Sequence, residues 1–247
     1  MPVAKKAAAK KSKPAPRATT KSGSTLINFV LDKSGSMGTC LTDTIGGFNT
    51  YITKLKEDKK SKYIFSLTLF DTSFENRHVA IDLSAVPELT TSTYVPGGMT
   101  ALYDAIGKTV AAVESKGEKA DKVLTVILTD GQENSSREYK CQMIKDLITR
   151  KEKEGNWTFV FLGADLSAFA VGDSMGVSHS NSIIYGRTQG AGNVYATMAV
   201  ATRGFAGQSA KNSRDIMSSL PKRALRAAGA AGMSRRTGPV APGSGRR

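Results

Sequence analysis

The stretch "TLINFVLDKSGSMG", residues 25–38, decides how the rest of the chain is read. Its first half, 25–31, is a short, mostly apolar run bounded by Gly and Ser. That pattern predicts a strand buried on both faces, as strands inside a parallel sheet are. Directly after it the chain presents Asp32, Ser34 and Ser36 at every second position of a glycine-containing turn. One carboxylate and two hydroxyls set together at a strand end point to a ligand that binds oxygen.

Outward from this strand, apolar runs alternate with helical patterns. Ile45, Phe48, Ile52 and Leu55 fall on one face of a helix whose end is crowded by Lys54, Lys56, Glu57 and Asp58. "YIFSLTLF" (63–70) predicts a second buried strand, and the alternation of Val79, Ile81 and Leu83 predicts a half-exposed edge strand joined to it by a hairpin. A helix over 100–113 buries Leu102, Ile106, Val110 and Val113. "VLTVILT" (123–129) predicts a third buried strand. Ser135 and Glu138 have the spacing of a capping box, opening a helix with Tyr139, Met143, Ile144, Leu147 and Ile148 turned inward. "WTFVFL" (157–162) and "SIIY" (182–185) are further strands, with a short helix around 166–170 between them. Val194, Met198, Ala201 and Phe205 mark the last long helix. This order predicts an α/β fold: a doubly wound, mostly parallel central sheet of about six strands, one of them an antiparallel edge strand, with helices on both faces.

The formal charge of +14 on 247 residues suggests nucleic acid until the charges are located. Residues 1–22 hold seven Lys and Arg and no acid, and so do residues 221–247, which accounts for the whole excess. The intervening 23–220 balances 21 basic against 21 acidic residues. The expected organisation is a neutral central domain, 23–220, between two basic tails, 1–22 and 221–247. Both tails lack the apolar content to offset their ordering entropy, so disorder is expected there. Cationic arms bind phosphate backbones, but no aromatic residues interleave the charges for base stacking.

Other classes are excluded or set aside. Two cysteines, Cys40 and Cys141, make no disulfide framework and suit reduced thiols. The basic N-terminus has no apolar stretch behind it, and no apolar run reaches about 18 residues, so neither a secretory signal nor a membrane span is expected. A cytoplasmic location follows from that reading. "IGKT" (106–109) lacks the first glycine of a phosphate-binding loop and lies within a helix. "GAGNVYA" (190–196) lacks the third glycine of a dinucleotide fingerprint. His78 and His179 are isolated, and Trp157 opens a buried strand.

Ligands in open α/β sheets collect at the carboxyl ends of the strands. There Asp130 follows a strand in "LTDGQENSS" (128–136), and Thr100 sits in "PGGMTALYDAI" (96–106) at a helix start, where it also suits an N-cap. Asp32, Ser34, Ser36, Thr100 and Asp130 make a set of two carboxylates and three hydroxyls. Such hard, oxygen-only donors suit Mg2+, with Mn2+ or Ca2+ as alternatives, rather than Zn2+.

"LDKSGSM", "GGMTALYDAI" and "LTDGQENSS", in that order, resemble the three loops of the metal-ion-dependent adhesion site of von Willebrand factor type A (vWA) domains. The resemblance covers about residues 24–206. "DTIGGFNTYI" (43–52), "SREY" (136–139) and "FLGA" (161–164) resemble a compact bacterial and phage branch of that family. The resemblance implies that Ser34 and Ser36 bind the metal directly. Thr100 binds directly or through water, and Asp32 and Asp130 act mainly through water or by holding the direct ligands from behind. It also implies a Rossmann-like fold and a non-enzymatic protein-binding role, with a partner's Asp or Glu completing the coordination sphere. Two other readings stand beside it: a polyanion-binding protein acting through its tails, and a Mg2+-dependent phosphohydrolase with Asp32 as nucleophile.

Overall fold

The computed structural model describes residues 23–117, 119–185 and 191–209. The two basic segments, 1–22 and 221–247, and residues 210–220 of the expected central domain lie outside the described residues. Strands and helices alternate as β1 (Ser24–Asp32), α1 (Leu41–Lys56), β2 (Lys62–Phe70), β3 (Phe74–Asp82), α2 (Leu102–Lys116) and β4 (Lys122–Thr129). They continue as α3 (Cys141–Lys153), β5 (Trp157–Gly163), α4 (Leu166–Ser174), β6 (Ser182–Ile184) and α5 (Ala191–Gly207). The strands form one sheet in the order β3-β2-β1-β4-β5-β6, with β3 antiparallel to β2 and the other pairs parallel. This is the doubly wound, Rossmann-like α/β architecture that the sequence predicts.

Both faces of β1 are covered, which explains its unbroken apolar run. Ile27, Phe29 and Leu31 join the core cluster that contains Phe48, Tyr51 and Leu55 of α1 and Val194, Met198 and Phe205 of α5. Leu26 and Val30 point the other way, into the cluster of Leu102, Ile106 and Val110 of α2 with Ile144 and Ile148 of α3. Phe29 sits at the middle of the first cluster, edge-on to Phe48 at 5.5 Å and stacked on Tyr195 at 6.2 Å. The chain winds from β1 outward through β2 and β3, then returns to β4 on the other side of β1. The sheet order therefore reverses between β1 and β4, and a crevice opens at their carboxyl ends.

Four local expectations are corrected. The alternation of Val79, Ile81 and Leu83 does not run through one strand. The β2–β3 register shifts on either side of Leu67, Ala80 takes φ 51°, and Leu83 lies beyond the strand in a buried 3-10 turn. Extra residues on the edge strand break the two-residue period. The Ser135–Glu138 capping box does not form: α3 starts only at Cys141, and both residues lie in the preceding loop. With that start Met143 falls on the outer face of α3 and is 49% exposed. Thr100 is not the N-cap of α2, because Ala101 occupies that position. "IGKT" does lie within α2, and Trp157 is buried at the start of β5.

Lys122 fixes the end of the fold remote from the crevice. Its ammonium is almost fully buried and donates to three carbonyls at the end of α5: Phe205 O at 2.6 Å, Ala206 O at 2.7 Å and Gln208 O at 2.6 Å. Burial pushes it down to about 8, which still leaves it protonated at neutral pH. These carbonyls lie at or just beyond the last turn of a helix, where the intrahelical amide donors run out; of the three, Phe205 O also accepts from Gln208 N at 3.2 Å. Lys122→Met is expected to lower unfolding stability by about 2 kcal/mol, the scale of a lost charged hydrogen bond, as read from urea denaturation.

Candidate metal centre

Asp32 is the last residue of β1, and its side chain is fully buried. One carboxylate oxygen accepts from the Ser34 amide at 2.6 Å, and the other accepts from the Thr129 hydroxyl at 2.5 Å, across the crevice at the end of β4. The Asp32 carbonyl accepts from the Tyr94 hydroxyl at 2.5 Å. Burial pushes the Asp32 carboxyl up to about 6, against the pull of the Thr129 and Ser34 hydrogen bonds and with a further push from the charge of Asp130. Ser34 Oγ and Ser36 Oγ are 3.2 Å apart, and Ser36 Oγ donates to Asp130 Oδ1 at 2.6 Å. Thr100 enters from the third loop. A Cβ placed on Gly131 would stand 3.3 Å from Thr100 Oγ1 and 3.7 Å from Ser36 Oγ, so both hydroxyls face that glycine. The structure thus brings all five predicted residues to the crevice between β1 and β4.

The loops are held to one another by backbone contacts. The Gly35 amide donates to Gly98 O at 3.1 Å, and the Gly97 amide donates to Lys33 O at 2.8 Å. Gly98 has φ 67°, and a Cβ there would meet Thr72 Oγ1 at 2.8 Å. Of the glycine pair, Gly98 is therefore the one that the turn requires. Thr72 Oγ1 accepts from the next amide, Met99 N, at 2.8 Å. Lys33 points away from the oxygens and pairs with Asp71 at 2.5 Å.

Sequence reasoning missed the groups that lock Thr100 in place. The Thr100 amide donates to Asn134 Oδ1 at 2.8 Å, and its carbonyl accepts from the Asn134 amide at 3.0 Å. Glu133 accepts from the Tyr103 amide at 3.0 Å in the first turn of α2, and also from Ser135 N and Ser136 N. Asp104 reciprocates, accepting from Arg137 N at 3.0 Å, Glu138 N at 3.0 Å and Tyr139 N at 2.8 Å. Glu133 thus caps α2 from a distance, which leaves the Thr100 hydroxyl outside the cap. Thr129 was passed over as the last residue of its strand, and only the β1–β4 pairing shows that its hydroxyl reaches Asp32. No local spacing signals a pair such as Asp104 with 137–139.

The donors present fit a hard divalent cation. Among the described residues no group of three His, Cys, Asp or Glu side chains could hold a metal. The centre is instead hydroxyl-rich, with three neutral oxygens beside two carboxylates. Substituting the glycine at 131 would crowd the space between Thr100 and Ser36. Asp32, buried and negatively charged when ionised, takes its hydrogen bonds from the neutral Ser34 and Thr129 donors. Few carboxylates accompanied by hydroxyls match the preference of Mg2+. The two cysteines lie on opposite faces of the sheet, Cys40 in the α1/α5 cluster and Cys141 against the α2/α3 cluster, and the two do not form a disulfide.

The fold is that of solved vWA-type domains. The vWF domain of the type V pili tip protein Mfa5 from Porphyromonas gingivalis matches with a TM-score of 0.53 at 11% identity, over 75% of this chain and 94% of that one. The PilB minor pilin from Streptococcus sanguinis matches at 0.55 and 13%, over 78% and 63% respectively. A von Willebrand factor type A protein from Catenulispora acidiphila matches at 0.50 and 15%, over 75% and 42%. The chain spans less than two thirds of the pilin and less than half of the Catenulispora protein. No family model matches the sequence, and no curated protein matches it. Among the described residues no helix is long and apolar enough to cross a membrane.

Two outcomes follow from this geometry. Gly131→Ala is expected to weaken Mg2+ binding about tenfold by calorimetry, since the new Cβ presses on Thr100 and Ser36, while changing stability little. Asp104 concerns stability instead. Burial alone would raise its carboxyl, but the Arg137, Tyr139 and Glu138 amides, with Lys108 nearby, outweigh burial and hold it below the ordinary value. A carboxylate depressed in the folded state contributes stability above its unfolded pKa and loses it as pH falls through the folded one. Asp104→Asn is expected to cost about 2 kcal/mol at pH 7. The gap to wild type should close as pH falls below about 4, in urea unfolding repeated across pH.

Proposed function

We propose that this chain is a non-enzymatic, Mg2+-dependent protein-binding module, in which an Asp or Glu of a protein partner completes the coordination of a metal at the β1/β4 crevice. One observation carries the reading: the oxygens of Ser34, Ser36 and Asp130 form a continuous chain, with Thr100 Oγ1 facing it across Gly131. The Ser34 and Ser36 hydroxyls would hold the ion directly and Thr100 directly or through water, with Asp32 and Asp130 acting mainly through water or by holding those hydroxyls from behind, as Asp130 does Ser36. Mn2+ or Ca2+ would be accepted by the same donors. The bound ion would supply a Lewis-acidic corner for an incoming carboxylate. The likeness in fold to vWA-type domains supports an interaction role of this kind.

The phosphohydrolase reading is disfavoured by the state of Asp32. A nucleophilic carboxylate needs an open oxygen, and both oxygens of Asp32 are hydrogen-bonded and buried. The nearby Lys33 is engaged with Asp71 rather than turned to a phosphate. We propose a cytoplasmic location, where two cysteines outside any disulfide are stable.

Ser34→Ala and Ser36→Ala are each expected to weaken Mg2+ binding by at least about tenfold in calorimetry, and to abolish EDTA-sensitive capture of a native partner. A partner held equally by metal-free wild type and by Ser34→Ala refutes the proposal.

A further inference from the structure

We propose, resting on the metal-dependent reading above, that the partner's acid stands on an extended segment with a large aliphatic side chain two residues to either side of it. Val95 and Met99 receive one of these side chains, and Leu166 receives the other. Among the described residues five large apolar side chains are about half exposed or more: Val95 at 61%, Met99 at 51%, Met143 at 49%, Leu166 at 76% and Val200 at 50%. Met143 and Val200 belong to α3 and α5. The other three stand on the rim that carries the metal loops. Single exposed apolar residues are ordinary on a protein surface, but a group of them around a polar centre marks a contact face.

Backbone contacts fix these three beside the centre. Met99 immediately precedes Thr100, and its amide donates to Thr72 Oγ1 at 2.8 Å, just past the end of β2. Val95 follows Tyr94, whose hydroxyl donates to Asp32 O at 2.5 Å. On the other side of the crevice the Ala164 amide donates to Thr129 O at 3.2 Å, the carbonyl directly before Asp130. Leu166 stands two residues further on, at the start of α4. The sheet order β2-β1-β4-β5 places the β1/β4 crevice midway between the two apolar positions. Three strand spacings, from β2 to β5, come to about 14 Å.

That span suits an extended segment crossing the strand ends. Side chains two residues apart on a strand point to the same side, about 7 Å from one another. Residues two before and two after a central acid are therefore about 14 Å apart, with the acid over the middle.

The charges of the rim call for one acid and not several. Within the loops 32–40, 93–100 and 128–136, the charged residues besides Asp32 and Asp130 are Lys33 and Glu133. Lys33 is paired with Asp71, and Glu133 is taken by the Tyr103, Ser135 and Ser136 amides. A divalent ion would balance the two carboxylates of the centre and draw in one carboxylate from outside. A second acid meets no unpaired cation from these loops. Acidic or phosphorylated neighbours of the partner's acid gain nothing here, whereas aliphatic ones cover Val95, Met99 and Leu166.

The test uses three fluorescent seven-residue peptides, each with one central Asp, titrated with the Mg2+-loaded full chain and read by anisotropy. The first carries Leu two positions to either side of the Asp, the second Ser and the third Glu, with Thr elsewhere. The Leu peptide should bind at least about tenfold more tightly than the Ser peptide, and the Glu peptide no more tightly than the Ser peptide. Val95→Ser with Met99→Ser should remove most of that preference, and Leu166→Ser about threefold of it. Both variants should leave Mg2+ affinity, melting temperature and binding of the Ser peptide unchanged. The proposal is overturned if the Leu and Ser peptides bind alike, if the Glu peptide binds tightest, if the variants keep the full preference, or if no peptide binds at about 1 mM. Mg2+-dependent binding that ignores the flanking residues leaves the carboxylate reading standing. Leu-peptide binding that persists in EDTA and in Ser34→Ala overturns both.

Discussion

The carboxylate of Asp32 joins the two strands between which the sheet reverses direction. It closes a turn onto the Ser34 amide at 2.6 Å and reaches the Thr129 hydroxyl at 2.5 Å. The first contact sets the direction of the Ser34–Ser36 turn. The second holds the end of β4, and with it Asp130, against the end of β1. A fully buried carboxylate in this position is costly, and two short hydrogen bonds, one to each oxygen, offset part of that cost. Burial outweighs those bonds, so the carboxyl stays above its ordinary value. Around this joint the loop geometry is built from backbone: Gly97 and Gly98 bond the Lys33–Gly35 turn, and the Asn134 amide and side chain clamp Thr100.

The buried strands were legible in the sequence because each is a continuous apolar run, and burial on both faces permits no polar alternation. The candidate centre was legible for a related reason. Asp32, Ser34 and Ser36 lie within one turn, so their spacing carries the geometry, and Thr100 and Asp130 each sit where an element begins or ends. The supports of the centre were not legible. Glu133 and Asp104 bind amides 30 and about 33 residues away in the chain, and such a reciprocal lock has no local pattern. The capping-box reading failed for this reason: Asp104 takes the Glu138 and Tyr139 amides, so the loop stays extended to Lys140 and the helix starts late. That delay put Met143 on the outer face. The edge strand misled differently, because shifts in its pairing with β2 break a period that assumes one residue opposite one.

A hydroxyl-rich donor set has an electrostatic consequence. Two buried carboxylates without a cation repel a third, so the rim as built from protein alone rejects an acidic partner. A divalent ion bound there would balance those two charges, and three neutral hydroxyls would add coordination without adding charge. Replacing any of them by Asp would tighten the hold on the ion while weakening its pull on an outside carboxylate. A recognition site therefore gains from serine and threonine where a storage site would gain from acids.

The same topology separates the two charged ends of the molecule. Helices antiparallel to the strands point their N-termini at the metal rim and their C-termini at the other. Acids near helix starts, such as Asp104 in the first turn of α2 and Asp165 capping α4, are favoured on the first rim. Cations in last turns, such as Lys54 and Lys56 of α1, are favoured on the second. A parallel sheet thus starts with a polarity that costs nothing further to hold. Just beyond α1 the Lys59 ammonium donates to the Lys56 carbonyl, the last of that helix, at 2.9 Å, so a lysine in the following turn serves the same end. The nine residues of β1 hold the two rims about 30 Å apart, so in salt their fields do not offset one another.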